Sequence, residues 1–163
     1  MTIEDSLENE LNENAKLLLG GDIEIDYNNR EGDQTKIDKI TNFATVSQMV
    51  EFSTMISTVN KKINKTLFTR VKSVDQFYPL YGKALYEPND ALEKLNQIES
   101  SILVNENIFK NLNLKINDIV KVQDKEFKVI GIVKVLPDIG GAFVFGDFAL
   151  TGKKTLDLSL IHI

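Results

Sequence analysis

The sequence predicts an α+β fold: two small subdomains of mixed and antiparallel sheet with short packed helices, preceded by an N-terminal helix. Three observations predict it. Apolar residues recur at helical spacing between Ile3 and Leu19. Two β-branched runs between 46 and 74 read as one long hairpin. From 102 to 135 a strand, a capped helix and two further strands follow one another with clear punctuation.

Taken in order, Leu7, Leu11, Ala15 and Leu18 are spaced by four, four and three residues, a one-sided helix stripe that Gly20 and Gly21 stop. Asp22 to Asn28 alternates strictly, Ile23, Ile25 and Tyr27 against Asp22, Glu24 and Asp26, which predicts a half-buried strand. Asp33 is placed to cap a second helix with Ile37, Ile40 and Phe43 turned inward. Thr45 then begins a β-branched stretch, and Val46–Thr58 and Thr66–Val74 form the hairpin around polar Asn60–Lys65. Phe77 to Pro88 carries three tyrosines, two prolines and Gly82, a composition for an irregular packed connection. Asn89 is expected to cap a short helix with Leu92, Leu95 and Ile98 inward, and a subdomain junction falls here.

Beyond it come a strand at Ile102–Val104, a helix capped by Asn105 with Ile108, Phe109 and Leu112 inward, and strands at Ile119–Gln123 and Phe127–Val135 turned by Asp124-Lys125. Pro137 ends the last strand, and two phenylalanines follow among glycines, from Gly140 to Gly146. The division expected is a helix over 1–19, a first subdomain over 20–77 and 137–157, a second over 78–136, and a tail over 158–163.

With 163 residues and 42% apolar content, the chain is long enough to bury about two-thirds of its unfolded surface. The net charge is −5 and the basic residues are spread from Lys16 to Lys154, so no footprint for phosphate backbones exists and nucleic acid is not an expected partner. The absence of cysteine excludes disulfides, thiolate catalysis, cysteine-ligated zinc and iron–sulfur clusters, and leaves the redox compartment open. No apolar run reaches the roughly 18 to 20 residues that cross a bilayer. Glu4, Asp5 and Glu8 stand where an export signal would have a basic and then an apolar region.

Nor is chemistry written in the motifs. His162 is the only histidine and stands one residue from the end, so no triad, zinc site or imidazole acid–base pair assembles around it. Asp22, Glu24 and Asp26 share a face and would suit a hard cation, yet a solvated strand face explains them as well. Gly146 to Lys154 resembles a phosphate loop only superficially: five residues separate Gly146 from Gly152, and Lys154 stands where a hydroxyl is required. Asp75, Glu93, Glu99 and Glu106 are scattered carboxylates. No catalytic residue, metal ligand or cofactor is therefore expected. Phe143 and Phe145 are the candidate contact surface; being two apart on one face of a short segment, they equally suit a place in the core.

Three stretches carry a family resemblance. Leu17-Leu18-Leu19-Gly20-Gly21-Asp22-Ile23-Glu24-Ile25 looks like the exit from a first membrane helix into an opening strand. Ser73-Val74-Asp75-Gln76-Phe77-Tyr78-Pro79-Leu80-Tyr81-Gly82 is similar to a link in the YbbP-like branch. Ile102 to Glu106, Leu112 to Asp118 and Phe127 to Val133 look like a second periplasmic subdomain. Together they resemble the extracytoplasmic core of FtsX-like, MacB-type ABC transporter permeases. Asn117 stands where that family has glycine, and asparagine tolerates the left-handed backbone such a turn needs.

The resemblance implies a non-catalytic domain set between the first two membrane helices, outside the inner membrane of a bacterium. Its partners would be an ATP-binding subunit reached through the membrane part, a second permease copy, and a periplasmic protein or a lipid or lipoprotein substrate. It would relay ATP-driven motion to the outside. On this reading the chain is a fragment lacking the membrane helices, Met1 is an internal methionine, and Leu158–Ile163 looks like translated sequencing-adapter read-through. The alternatives are a free-standing ligand- or peptide-binding module whose Phe143 loop makes the contact, and a hydrolase whose carboxylates only the fold brings together.

Overall fold

The computed structural model describes residues 14–16, 19–27, 32–59, 64–138 and 146–155. Seven strands form one sheet: β1 Met49–Thr58, β2 Thr66–Val74, β3 Leu85–Glu87, β4 Ser101–Asn105, β5 Ile119–Val122, β6 Lys125–Val135 and β7 Phe148–Gly152. Helix α1 covers Gln34–Thr41, α2 Ala91–Gln97 and α3 Glu106–Asn111. Residues 14–16 and 19 are also helical, so the expected α+β class with a leading helix holds.

The sheet closes on itself. Its order is β3-β6-β4-β7-β2-β1-β5, and β5 pairs again with β6, making a ring of six strands with β3 outside it. β1 and β2 form the expected hairpin, in register from Met49 opposite Val74 to Ser57 opposite Thr66. β2 runs parallel to β7 and β4 parallel to β6, while β1 with β5, β4 with β7 and β5 with β6 are antiparallel. β6 closes the ring because its first four residues pair with β5 while Ile132 to Val135 pair with β3.

Alternation along the strands sorts side chains into two apolar layers. Ile56, Val71, Ile102, Val104, Val120, Val122, Phe127, Val129 and Ala149 fill the barrel, and Ile108, Leu112 and Leu114 from α3 and its exit join them. Leu103, Ile130, Val133 and Leu150 point outward and are covered by Ala91 and Leu95 of α2 with Tyr78 and Leu136. Asn105 caps α3 as expected, its Oδ1 accepting from the Ile108 N–H at 3.0 Å. Asn117 adopts φ +75°, the left-handed conformation the turn before β5 requires.

Several local expectations are corrected. Residues 23–27 form no strand, and Ile23 and Ile25 are 81% and 55% exposed. Alternation supplies a face but not a ladder partner, and the closed ring offers none there. α1 keeps its Asp33 cap, but it holds no fully buried residue and Phe43 lies 80% exposed beyond its end. The N-cap position of α2 is Asp90 rather than Asn89, with no side-chain capping hydrogen bond, and Ile98 leaves the inward stripe as the extended residue after the helix. The β5–β6 turn is Gln123-Asp124, one residue earlier than expected, because Val122 pairs with Lys125 and Gln123 takes φ +53°.

Two glycines set how closely α2 approaches. A Cβ on Gly131 would stand 2.6 Å from the Glu87 carbonyl oxygen and 3.2 Å from the Ala91 Cβ, and one on Gly152 would stand 2.6 Å from the Leu95 carbonyl oxygen. A Cβ on Gly146 would meet no atom of the described residues within 4 Å. Gly131→Ala is therefore expected to destabilise by about 1–3 kcal/mol in urea unfolding, with Gly146→Ala inside about 0.5 kcal/mol. Phe127→Ala, emptying a side chain 1% exposed inside the barrel, is expected to cost about 3–5 kcal/mol by the same measurement.

Candidate functional site

The outward side chain of Lys72 on β2 meets Asp138, which follows buried Leu136 and Pro137 at the end of β6. The Lys72 Nζ lies 2.7 Å from Asp138 Oδ2, with the two side chains only 13% and 6% exposed. Tyr78 donates its hydroxyl proton to Asp138 Oδ1 at 2.6 Å. Glu51, opposite Lys72 on β1, lies 3.5 Å from Lys72 Nζ and 3.2 Å from Arg70 Nε. A buried carboxylate shared by an ammonium and a phenol ties β2, the Tyr78 segment and the end of β6 together.

The N-terminal segment rests on this cluster. Gly20 has φ +67°, and a Cβ there would touch the Asp138 Cβ at 3.4 Å. A second contact lies further out: Lys16 Nζ is 2.8 Å from Asp22 Oδ1 and 5.7 Å from the centre of the Tyr81 ring, while the Tyr81 hydroxyl donates to Asp22 Oδ2 at 3.1 Å. Hydrogen bonds from Lys16 and then Tyr81 hold the Asp22 carboxyl below the usual carboxylate range. Being open to solvent, this outer pair is screened and weak; at Gly20 the segment comes within van der Waals reach of Asp138.

The carboxylates singled out in the sequence do not converge. Asp75 accepts from Ser47 Oγ at 2.8 Å, the Gln48 N–H at 2.6 Å and the Phe77 N–H at 3.0 Å, fastening the approach to β1 onto the exit from β2. Glu106 pairs with Lys110 one turn along α3, 2.9 Å away. Glu24, Asp26, Glu93 and Glu99 are not buried. Among the described residues no three histidine, cysteine, aspartate or glutamate side chains gather as a metal-ion site. The superficial phosphate loop contains strand β7, whose last four residues are buried.

Phe143, Phe145 and His162 lie outside the described residues. The 139–145 stretch lies between Asp138 and Gly146; next comes Asp147, whose carboxylate accepts from Asn107 Nδ2 at 2.6 Å and whose carbonyl accepts from the Arg70 N–H at 2.9 Å.

Sequence reasoning missed Lys72, Asp138 and the specific role of Tyr78. Only the tyrosine-rich composition of Phe77–Pro88 signalled a packed connection, and nothing in it named a charged partner 60 residues away.

No protein-family model matches the chain, and no curated protein matches it significantly. Solved structures similar to it include the periplasmic region of MacB from Actinobacillus actinomycetemcomitans, with TM-score 0.45 and 15% identity over 74% of this chain and 53% of that one. Another is the extracellular domain of the noncanonic ABC-type transporter YknZ from Gram-positive bacteria, with TM-score 0.48 and 12% identity over 78% of this chain and 65% of that one. The chain thus spans between half and two-thirds of the length of these structures.

Removing Lys72 strands a buried carboxylate. Lys72→Met is expected to cost about 3–5 kcal/mol in urea unfolding, and Lys72→Met combined with Asp138→Leu to recover most of it. Burial, then the charge of Asp138, raises the Tyr78 phenol above its usual value of 10.0; burial and Asp138 raise Tyr86 too. The stabilisation from a raised group is complete below the unfolded value and lost toward the folded one. Stability should hold up to about pH 10 and then fall by about 1.4 kcal/mol per pH unit for each such tyrosine. Tyr78→Phe should flatten that slope in denaturation curves taken at successive alkaline pH values.

Proposed function

We propose that the chain is a non-catalytic extracytoplasmic domain of an FtsX-like ABC transporter permease, carrying motion from the membrane to a substrate or partner outside it. The observation that carries the reading is the seating of Gly20 on Asp138, which Lys72 and Tyr78 hold at the rim of a closed barrel. A displacement of the leading helix acts on that carboxylate. A ring of hydrogen-bonded strands around a filled interior moves as a body rather than absorbing the displacement. The three ordered stretches from Leu17 to Val133 support the same reading from the sequence. Hydrolysis of ATP belongs, on this reading, to a separate subunit, and pairing with a second permease copy follows from it. The two-subdomain division and the YbbP-like branch are part of the same proposal.

The test is the genomic sequence on either side of this reading frame. An apolar segment of about 20 residues upstream of Met1, more of them downstream, and a neighbouring ATP-binding subunit gene are expected. Polar flanks without any such segment would overturn the reading.

A further inference from the structure

We propose that two copies of the chain pair edge to edge through β1, antiparallel about a two-fold axis at Phe52. On the side of β1 that faces away from β2, β5 takes up only Ile56–Thr58. Met49–Met55 are left with no strand beside them, the longest such edge among the described residues. An open edge is a template for another strand, and proteins that keep one free blunt it with lysine, proline or a bulge. Met49-Val50-Glu51-Phe52-Ser53-Thr54-Met55 contains no lysine, proline or glycine, and its register with β2 runs without a shift. Its one charge, Glu51, is already matched by Arg70 at 3.2 Å and Lys72 at 3.5 Å.

The strand that fits this edge is the edge itself. Side chains alternate, so an antiparallel partner must keep outward positions opposite outward ones, which leaves few registers. An axis at Glu51 sets two carboxylates against each other, and one at Val50 places Met49 against Glu51. One at Ser53 runs Met49 against Ser57, which β5 already holds. An axis at Phe52 uses the whole open stretch: Met49 faces the partner's Met55, Glu51 faces the partner's Ser53, Val50 faces the partner's Thr54, and the two Phe52 side chains meet. No like charges are opposed. Met49 and Met55 are 38% and 48% exposed, and Phe68, opposite Met55 on β2, is 66% exposed. In the pair, Phe68, Met55 and the partner's Met49 form one row of adjoining apolar side chains on the outer face, which filling the barrel does not account for.

The competing occupant is the chain's own alternating stretch, residues 22–27, which has no ladder partner. That stretch is engaged at both ends: the Asp22 carboxylate accepts from the Tyr81 hydroxyl, and the Tyr27 ring lies beside Gly32. The pairing needs only the edge of β1 and not the permease reading.

The chain has no cysteine, so introduced ones report on the pair directly. Met49→Cys and Met55→Cys, made as two separate variants of the full chain, are mixed under a mild oxidant. The mixture should yield a disulfide-linked dimer, because directly opposite positions stand within disulfide reach. Either variant alone should yield about tenfold less, since its two cysteines lie about 20 Å apart across the axis at about 3.3 Å per residue. Sedimentation equilibrium should show dimer increasing with concentration, and a dissociation constant about tenfold larger for Met49→Lys/Met55→Lys, which sets lysine opposite lysine. Both positions are exposed, and an unchanged unfolding midpoint confirms that the variant folds. Equal linking by either cysteine variant alone, a monomer that gives no link, or association undiminished by the lysines would each overturn the proposal. An internal disulfide between Ile25→Cys and Ser53→Cys in one chain would also overturn it, by placing the chain's own segment on the edge. Flanking sequence without membrane segments would remove the permease reading and leave the pairing, whereas a monomer would remove the pairing and leave the permease reading.

Discussion

Everything in this fold depends on β6 pairing with three strands. It is eleven residues long, and that length lets β5 occupy one side of its beginning and β3 the same side of its end, with β4 along the other. Closure pairs β5 with β6, the two strands that would otherwise end the six-stranded sheet. It also divides the apolar side chains, since every strand then has one face toward a common interior and one toward the outside.

The two faces are solved differently. The interior is filled by aliphatic residues, Phe127 and the inward side of α3, with Ala149 contributed by β7. Outside, α2 covers Leu103, Ile130 and Leu150, and it comes this close because Gly131 and Gly152 present no side chain to the Ala91 Cβ and the Leu95 carbonyl. Beyond α2 the cover changes from apolar to ionic: Lys72, Asp138 and Tyr78 close the rim where the leading segment arrives.

Much of this architecture was legible in the sequence because it is written in local patterns. The β1–β2 hairpin, β4, the Asn105 cap, the pair β5 and β6 and the left-handed Asn117 all follow from spacing or from one residue's backbone preference. β7 was not legible: Phe148-Ala149-Leu150-Thr151-Gly152 has no alternation, because both its faces are covered. The opposite error befell residues 23–27, whose alternation is perfect but whose backbone has no ladder to join. The attachment site was hidden for a third reason. Lys72, Tyr78 and Asp138 come together only through the parallel and crossing connections of the ring, and no spacing rule relates them.

That hidden site is better understood as a device for position than for stability. Taking a lysine and an aspartate out of water costs most of what their attraction returns, so a well-packed apolar pair could hold the rim as firmly. What an apolar pair could not do is fix direction. The Asp138 carboxylate accepts from Lys72 on one oxygen and from Tyr78 on the other, which sets its plane and, through it, the place where Gly20 rests. Gly20 in its left-handed conformation then turns the chain toward Asp22 and Tyr81, so the line of the leading segment is defined relative to the barrel at two successive points.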